Sequence, residues 1–193
     1  MAVRAVVFDV GETLVDETAL WQRAAEAAGV PLFTLMGVLG GLAARGEHHA
    51  RVWEILGVER PASTWESADF YADALPTLEK LRARGFLVGA VGNTLTEAED
   101  LLRDHVDLVG SSARWGVEKP APAFFERIVA ESGFAAADIA YVGDRVDNDV
   151  RPAIEAGLRA VHIRRGPWGY LFDAPPRAIR IHSLAELPEA LGD

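Results

Sequence analysis

Asp9 closes the apolar run Val6-Val7-Phe8, and three later breaks in the chain carry polar groups in the same way: Gly92-Asn93, Lys119-Pro120, and Gly143-Asp144 followed by Asp147, Asn148 and Asp149. If the apolar runs are parallel strands, these residues share one sheet edge, the edge at which open α/β sheets bind ligands. The residue types suit an acidic metal site beside a phosphate pocket. Mg²⁺ takes one or two carboxylates, keeps several waters and completes its octahedron with phosphate oxygens. Asp9 and Asp144 offer the carboxylates. An aspartate can also attack phosphorus directly, forming an acyl phosphate that water later cleaves. Lys119 would hold Asp9 ionised and offset charge on a transferring phosphoryl group, while Asn93 and nearby backbone N–H groups donate to its oxygens. Asp149 is expected to tie down its loop or to reach the metal through water, and Asp147 reads as surface.

The elements that must position these groups are legible from periodicity. Residues 2–8 are apolar on both faces, as in a parallel sheet covered by helices. Helical spacing runs over 17–28 and stops at Gly29; Pro31 opens a second helix towards Arg45, interrupted at Gly40-Gly41, and 47–56 suits a third ending at Gly57. Trp65 to Ala74 is expected to form a short helix. From Pro76 onward helices and strands alternate: a helix to Gly85, strands at 86–91, 108–109, 139–142, 159–163 and 178–181, and helices at 96–105, 122–132, 150–156 and 184–191. That order predicts an α/β fold with a doubly wound, mostly parallel, Rossmann-like sheet and right-handed crossovers. Residues 1–16 and 75–193 would form the core domain and 17–74 an inserted small all-helical cap. The segment 164–176 reads as an irregular loop whose Trp168 and Tyr170 either anchor it to the core or close over a pocket.

Composition narrows the partners. The chain has 193 residues, half of them hydrophobic, which is ample for a core. It has no cysteine, so disulfides, thiolate metal sites and Cys nucleophiles are excluded. A net charge of -10 argues against nucleic-acid and anionic-membrane surfaces, which need clustered Lys and Arg. No apolar run approaches a membrane span and the first residues lack a leader pattern, so a cytoplasmic protein is expected, as monomer or homodimer. A small phosphorylated molecule remains compatible with this charge when a metal offsets it.

At these residues the chain resembles the haloacid dehalogenase superfamily of aspartate-nucleophile hydrolases, mostly Mg²⁺-dependent phosphatases. Asp9-Val10-Gly11-Glu12-Thr13-Leu14 is similar to the first motif, Gly92-Asn93 to the second, Lys119-Pro120 to the third, and Gly143-Asp144 with Asp149 to the fourth. The resemblance implies Asp9, Thr13, Asn93 and Lys119 as catalytic groups, with Asn93, Thr94 and Lys119 on the substrate. It implies Asp9, the Gly11 carbonyl, Asp144 and Asp149 around Mg²⁺. It also implies the helical cap of one branch, which can rock over the strand ends.

Two departures stand out. Gly11 occupies the position of the aspartate that protonates the leaving oxygen and then activates water, a loss of about 10²–10⁴-fold in rate when such a group is missing. Gly92 stands where the second motif has a hydroxyl. One reading is a phosphatase, slow or with its proton supplied elsewhere, for which Glu12 is the nearest candidate; if the proton donor is all that is missing, Gly11→Asp is expected to raise the rate. A second is a degenerate binding or regulatory protein. Dehalogenase chemistry fits less well, because the chain keeps Asp144 where that pattern has Ser or Asn, and phosphonate hydrolysis needs a cap lysine that 17–74 does not contain. On the helices before residue 57, His48, His49, Arg45 and Arg51 are candidate contacts for a substrate anion, with at least one histidine on the wet face.

Overall fold

Ala5, Val6, Val7 and Phe8 are all fully buried, yet they serve two different cores. Val6 and Phe8 point to one face of the sheet and Ala5 and Val7 to the other, the two-residue alternation of an extended chain. In the computed structural model, which describes residues 2–192, this strand, β1 (Ala5–Phe8), lies inside a six-stranded sheet of order β3-β2-β1-β4-β5-β6. The other strands are β2 (Leu87–Gly92), β3 (Leu108–Ser111), β4 (Ile139–Gly143), β5 (Arg159–Ile163) and β6 (Ile179–Ile181). All pairings are parallel. The predicted fold class is therefore the observed one. Strand order reverses between β1 and β4, and the crevice that opens there is the usual ligand site of such sheets.

Among the described residues, ten helices accompany the sheet: α1 (Thr18–Ala28), α2 (Leu32–Ala44), α3 (Arg51–Leu56), α4 (Ala74–Ala83), α5 (Glu97–Leu102), α6 (Ser112–Trp115), α7 (Pro122–Ser132), α8 (Arg151–Glu155), α9 (Gly166–Leu171) and α10 (Leu187–Ala190). On one face, Leu78 and Leu81 of α4 meet Val6, Phe8 and Val142. On the other, Phe124, Phe125 and Ile128 of α7 meet Val7, Ile139 and Tyr141. Each such side chain contributes about 1.5–3 kcal/mol through burial. A third apolar cluster joins Ala24, Leu35, Leu39, Leu42, Val52 and Trp53 of the first three helices to Trp168.

Several boundaries differ from the sequence reading. α2 passes through Gly40-Gly41 without a break, because Leu39 and Leu42 are packed on either side. The third helix begins only at Arg51, and the expected helix at Trp65 is a single turn at Ser67–Asp69, where Asp69 accepts from the Glu66 N–H. The predicted loop 164–176 contains α9, whose Trp168 is buried while Tyr170 is exposed. Its aromatic content serves anchoring in one case and faces solvent in the other. The N-terminal and C-terminal residues of the expected core segments, 1 and 193, lie outside the described residues. Among the described residues no single helix is long and apolar enough to cross a membrane.

Candidate active site

The Asp9 N–H donates to the Val142 carbonyl at 2.8 Å, which carries the β1–β4 pairing one residue past the strand and sets the Asp9 carboxylate against the end of β4. Lys119 arrives from the loop between α6 and α7. Its Nζ donates to Asp9 Oδ1 and to Asp149 Oδ1, each at 2.6 Å, with only 3 % of the residue exposed. Burial by itself would lower the ammonium's pKa. The charges of Asp149 and Asp9 override that and hold it well above its ordinary value, so Lys119 is a fixed cation.

Asp149 reaches this point through a π-helical turn, Val146–Val150, in which the Val150 N–H donates to the Arg145 carbonyl at 3.1 Å. Such turns recur at functional sites because they re-aim one side chain. The Asp149 carboxylate also accepts from the Arg145 N–H at 3.0 Å. Burial pushes its pKa up to about 6 against the pull of Lys119. A glycine at 143 makes room for this group: a Cβ there would lie 2.5 Å from Asp149 Cγ.

Asp9, Asp144 and Asp149 each offer one oxygen within 4.8 Å of the others, and all three are buried. Burial, then the charges of Asp149, Asp9 and Glu12, drives the Asp144 carboxyl well above the carboxylate range; Lys119 only partly opposes this. An excess of buried negative charge over one cation, presented on oxygen donors, fits a hard divalent ion. The residues the sequence singled out as metal ligands are thus brought together, with Gly11 in the turn immediately after Asp9.

The substrate-side residues fare less simply. Asn93 donates from Nδ2 to the Lys119 carbonyl at 2.9 Å and accepts from the Lys119 N–H at 2.7 Å. Asn93 thus clamps the Lys119 loop to the end of β2. Thr13 is fully buried with no hydrogen-bond partner for its Oγ1, and its carbonyl accepts from Arg165 at 2.8 Å. Thr94 is half-buried, and its carbonyl accepts from the Ala113 N–H at 3.2 Å. Gly92 is enclosed: a Cβ there would lie 3.1 Å from Thr94 Cγ2 and 3.2 Å from Asp9 Oδ1, so a hydroxyl-bearing side chain does not fit without displacement.

Glu12, the nearest candidate for a substitute acid, is already engaged. It adopts a left-handed φ of 53°, and its carboxylate accepts from the Tyr71 hydroxyl at 2.6 Å and the Glu17 N–H at 3.0 Å. Burial raises its pKa, with the Tyr71 and Glu17 hydrogen bonds opposing. From its sequence position Glu17 is only a helix start. In the structure its Oε2 accepts from Trp21 Nε1 at 3.2 Å, and burial followed by the charge of Glu12 raises its pKa to about 7. Asp147 pairs with Arg145 at 2.7 Å on the surface, as expected. His48 is exposed and stacks on His49, which is half-buried against Trp21. Arg45 and Arg51 pair with Glu47 on the wet side of the helices.

The switch-point crevice of a parallel sheet thus brings together an aspartate, a buried lysine and two further aspartates as one acidic strand-end site. A family model described as haloacid dehalogenase-like hydrolase matches residues 3–157, and the chain belongs to that family. It is similar to a glyceraldehyde 3-phosphate phosphatase of Methanopyrus kandleri, 40% identical over 104 residues, covering 51% of this chain and 45% of that protein. A second protein of that name, from Methanocaldococcus jannaschii, is 35% identical over 123 residues, covering 61% and 54%. The chain spans about half the length of these curated relatives. The crystal structure of a phosphatase of the same family from Thermococcus onnurineus superposes with a TM-score of 0.68 at 22% identity, covering 98% of both chains, and shares the fold.

Proposed function

We propose that this chain is a divalent-metal-dependent phosphatase that acts on a small phosphate ester through an aspartyl-phosphate on Asp9, with residues 17–74 serving as a small helical cap over the site. The observation that carries the reading is the Lys119 ammonium held 2.6 Å from both Asp9 and Asp149, with Asp144 beside them. Asp9, Asp144 and Asp149 would hold the ion, Mg²⁺ by donor type, with Gly11 contributing its carbonyl. When bound, the ion supplies charge neutralisation for the substrate phosphate. Lys119 fixes the Asp9 carboxylate by direct contact at 2.6 Å, and its charge offsets the negative charge of the transferring group. Asn93 keeps the Lys119 loop in place. The phosphatase names of the relatives support a small phosphorylated metabolite as substrate.

The test is hydrolysis of p-nitrophenyl phosphate and a panel of small phosphate esters with and without Mg²⁺, beside Asp9→Asn. Metal-dependent turnover that disappears in Asp9→Asn is the expected result. Mg²⁺ binding by calorimetry without turnover on any ester would favour a catalytically silent binding protein instead.

A further inference from the structure

The site has a nucleophile, a cation and a metal-binding triad, but the residue two places after Asp9 is Gly11 and carries no carboxyl group. That glycine is not demanded by the backbone, since Gly11 is absent from the positions with left-handed φ. The space beside it is taken by the far end of a side chain. A Cβ on Gly11 would lie 2.5 Å from Glu17 Oε1 and 3.2 Å from Glu17 Cδ. A carboxylate from the start of α1 therefore occupies the volume that a side chain at position 11 would fill. We propose that Glu17 is the acid/base residue of this hydrolase, a carboxylate delivered from the cap boundary in place of one delivered by the Asp9 turn. The inference rests on the phosphatase reading above.

The surroundings hold that carboxylate in one orientation. Trp21 Nε1 binds Oε2, which leaves Oε1 at the Gly11 position. The ring of Trp65 closes the other side, 3.5 Å from the same Cβ point. The Glu17 backbone is anchored in turn, because its N–H donates to Glu12, and Glu12 is fixed by Tyr71. Glu12 thus acts as a positioning residue and not as the acid. Glu17 also lines an open cleft of about 200 Å³ beside α1, α2 and α9, with Tyr71, Met36 and Trp168.

The chemistry balances with these groups alone and water. An Asp9 carboxylate oxygen attacks phosphorus as the bond from phosphorus to the ester oxygen breaks, and the departing oxygen takes the proton of the Glu17 carboxyl. Water then attacks the phosphorus of the aspartyl-phosphate, gives its proton to the Glu17 carboxylate, and the bond to Asp9 breaks to release phosphate.

The experiment compares wild type, Glu17→Gln, Gly11→Asp and Gly11→Asp/Glu17→Ala on p-nitrophenyl phosphate and on glycerol phosphate, with Mg²⁺ throughout. An alkoxide needs protonation to leave and a nitrophenolate does not. Glu17→Gln is therefore expected to lose about 10²–10⁴-fold in kcat/KM on glycerol phosphate but under about 10-fold on the aryl ester. It should also show a stoichiometric nitrophenolate burst and accumulate phosphoenzyme visible by intact mass, because the second step lacks its base. Gly11→Asp alone should not raise the rate, since the new side chain collides with Glu17; the double variant, with that space cleared, should recover the alkyl ester activity. Equal losses on both esters without a burst, a Glu17→Gln enzyme that matches wild type, or a gain from Gly11→Asp alone would each overturn the proposal. A wild type inactive on these esters and on the whole ester panel would instead remove the phosphatase reading itself, an outcome told apart because it appears in wild type and not only in the Glu17 variant.

Discussion

Replacing Lys119 with methionine keeps the length of the side chain and removes a cation that touches both Asp9 and Asp149. Without it, Asp9, Asp144 and Asp149 face one another as buried carboxylates. Leaving buried charges uncompensated costs about 3–5 kcal/mol, and in urea, with a slope of about 2 kcal/mol per molar, the midpoint should fall by about 2 M. The pH dependence has a definite sign. Burial already places Asp149 at about 6, above its ordinary value of 3.8, even with Lys119 in place. Removing the cation raises it further, so the folded variant binds more protons than its unfolded chain over this range. The variant's deficit is then fully present at pH 8 and shrinks as pH falls towards 5. The assay is urea unfolding of wild type and variant in EDTA at pH 8, 7, 6 and 5, repeated with Mg²⁺ at pH 8, where an ion in the triad should recover part of the loss. A midpoint shift below about 0.3 M, or one that does not change with pH, would refute the view that Lys119 neutralises this cluster.

Two further outcomes test the packing around the site. Gly92→Ser introduces a Cβ 3.1–3.2 Å from Thr94, Asp9 and Val10, so it should cost about 1–3 kcal/mol and bring no gain in turnover; an unchanged Tm with raised kcat would show that the end of β2 gives way. His49 is held near 4 by burial, with His48, Arg60 and Arg145 adding to the effect, so stability is lost as pH falls from 6.5 towards 4. Across that window the loss is at most about 3 kcal/mol. His49→Gln should flatten the fall in urea midpoint between pH 7 and 4.5, and an unaltered slope would contradict the assignment.

The residues legible from sequence are those whose place follows from local periodicity and chain direction. Asp9, Lys119, Asp144 and Asp149 each end or follow a predicted strand, and a parallel sheet carries all such ends to one edge, so their meeting required only the strand order. The helix α7 was readable in full because Pro122 opens it and Gly133 closes it. α9 was hidden by Gly166, Pro167 and Gly169, residues of a loop by composition, and Trp168 fixes it there by burying its ring among Leu35, Leu39 and Trp53. Asn93 was recognisable as a polar residue at a strand end, but which groups it binds depends on a loop 26 residues away.

The first motif divides along the same line. Its sequence alone determined that Asp9 is presented at a sheet edge and that the next acid-bearing position is empty at Gly11. Only the tertiary structure decided what stands in that space. The turn that follows Asp9 folds back on itself, with the N–H groups of Leu14 and Val15 both donating to the Val10 carbonyl. This return brings the start of α1 over Gly11, and the Trp21 contact from one helical turn later sets which way the Glu17 carboxylate faces. The Glu17–Trp21 pair follows helical i,i+4 spacing, but the placement of α1 over Gly11 has no periodic signature, because it depends on how a turn and a helix meet rather than on the pattern within either.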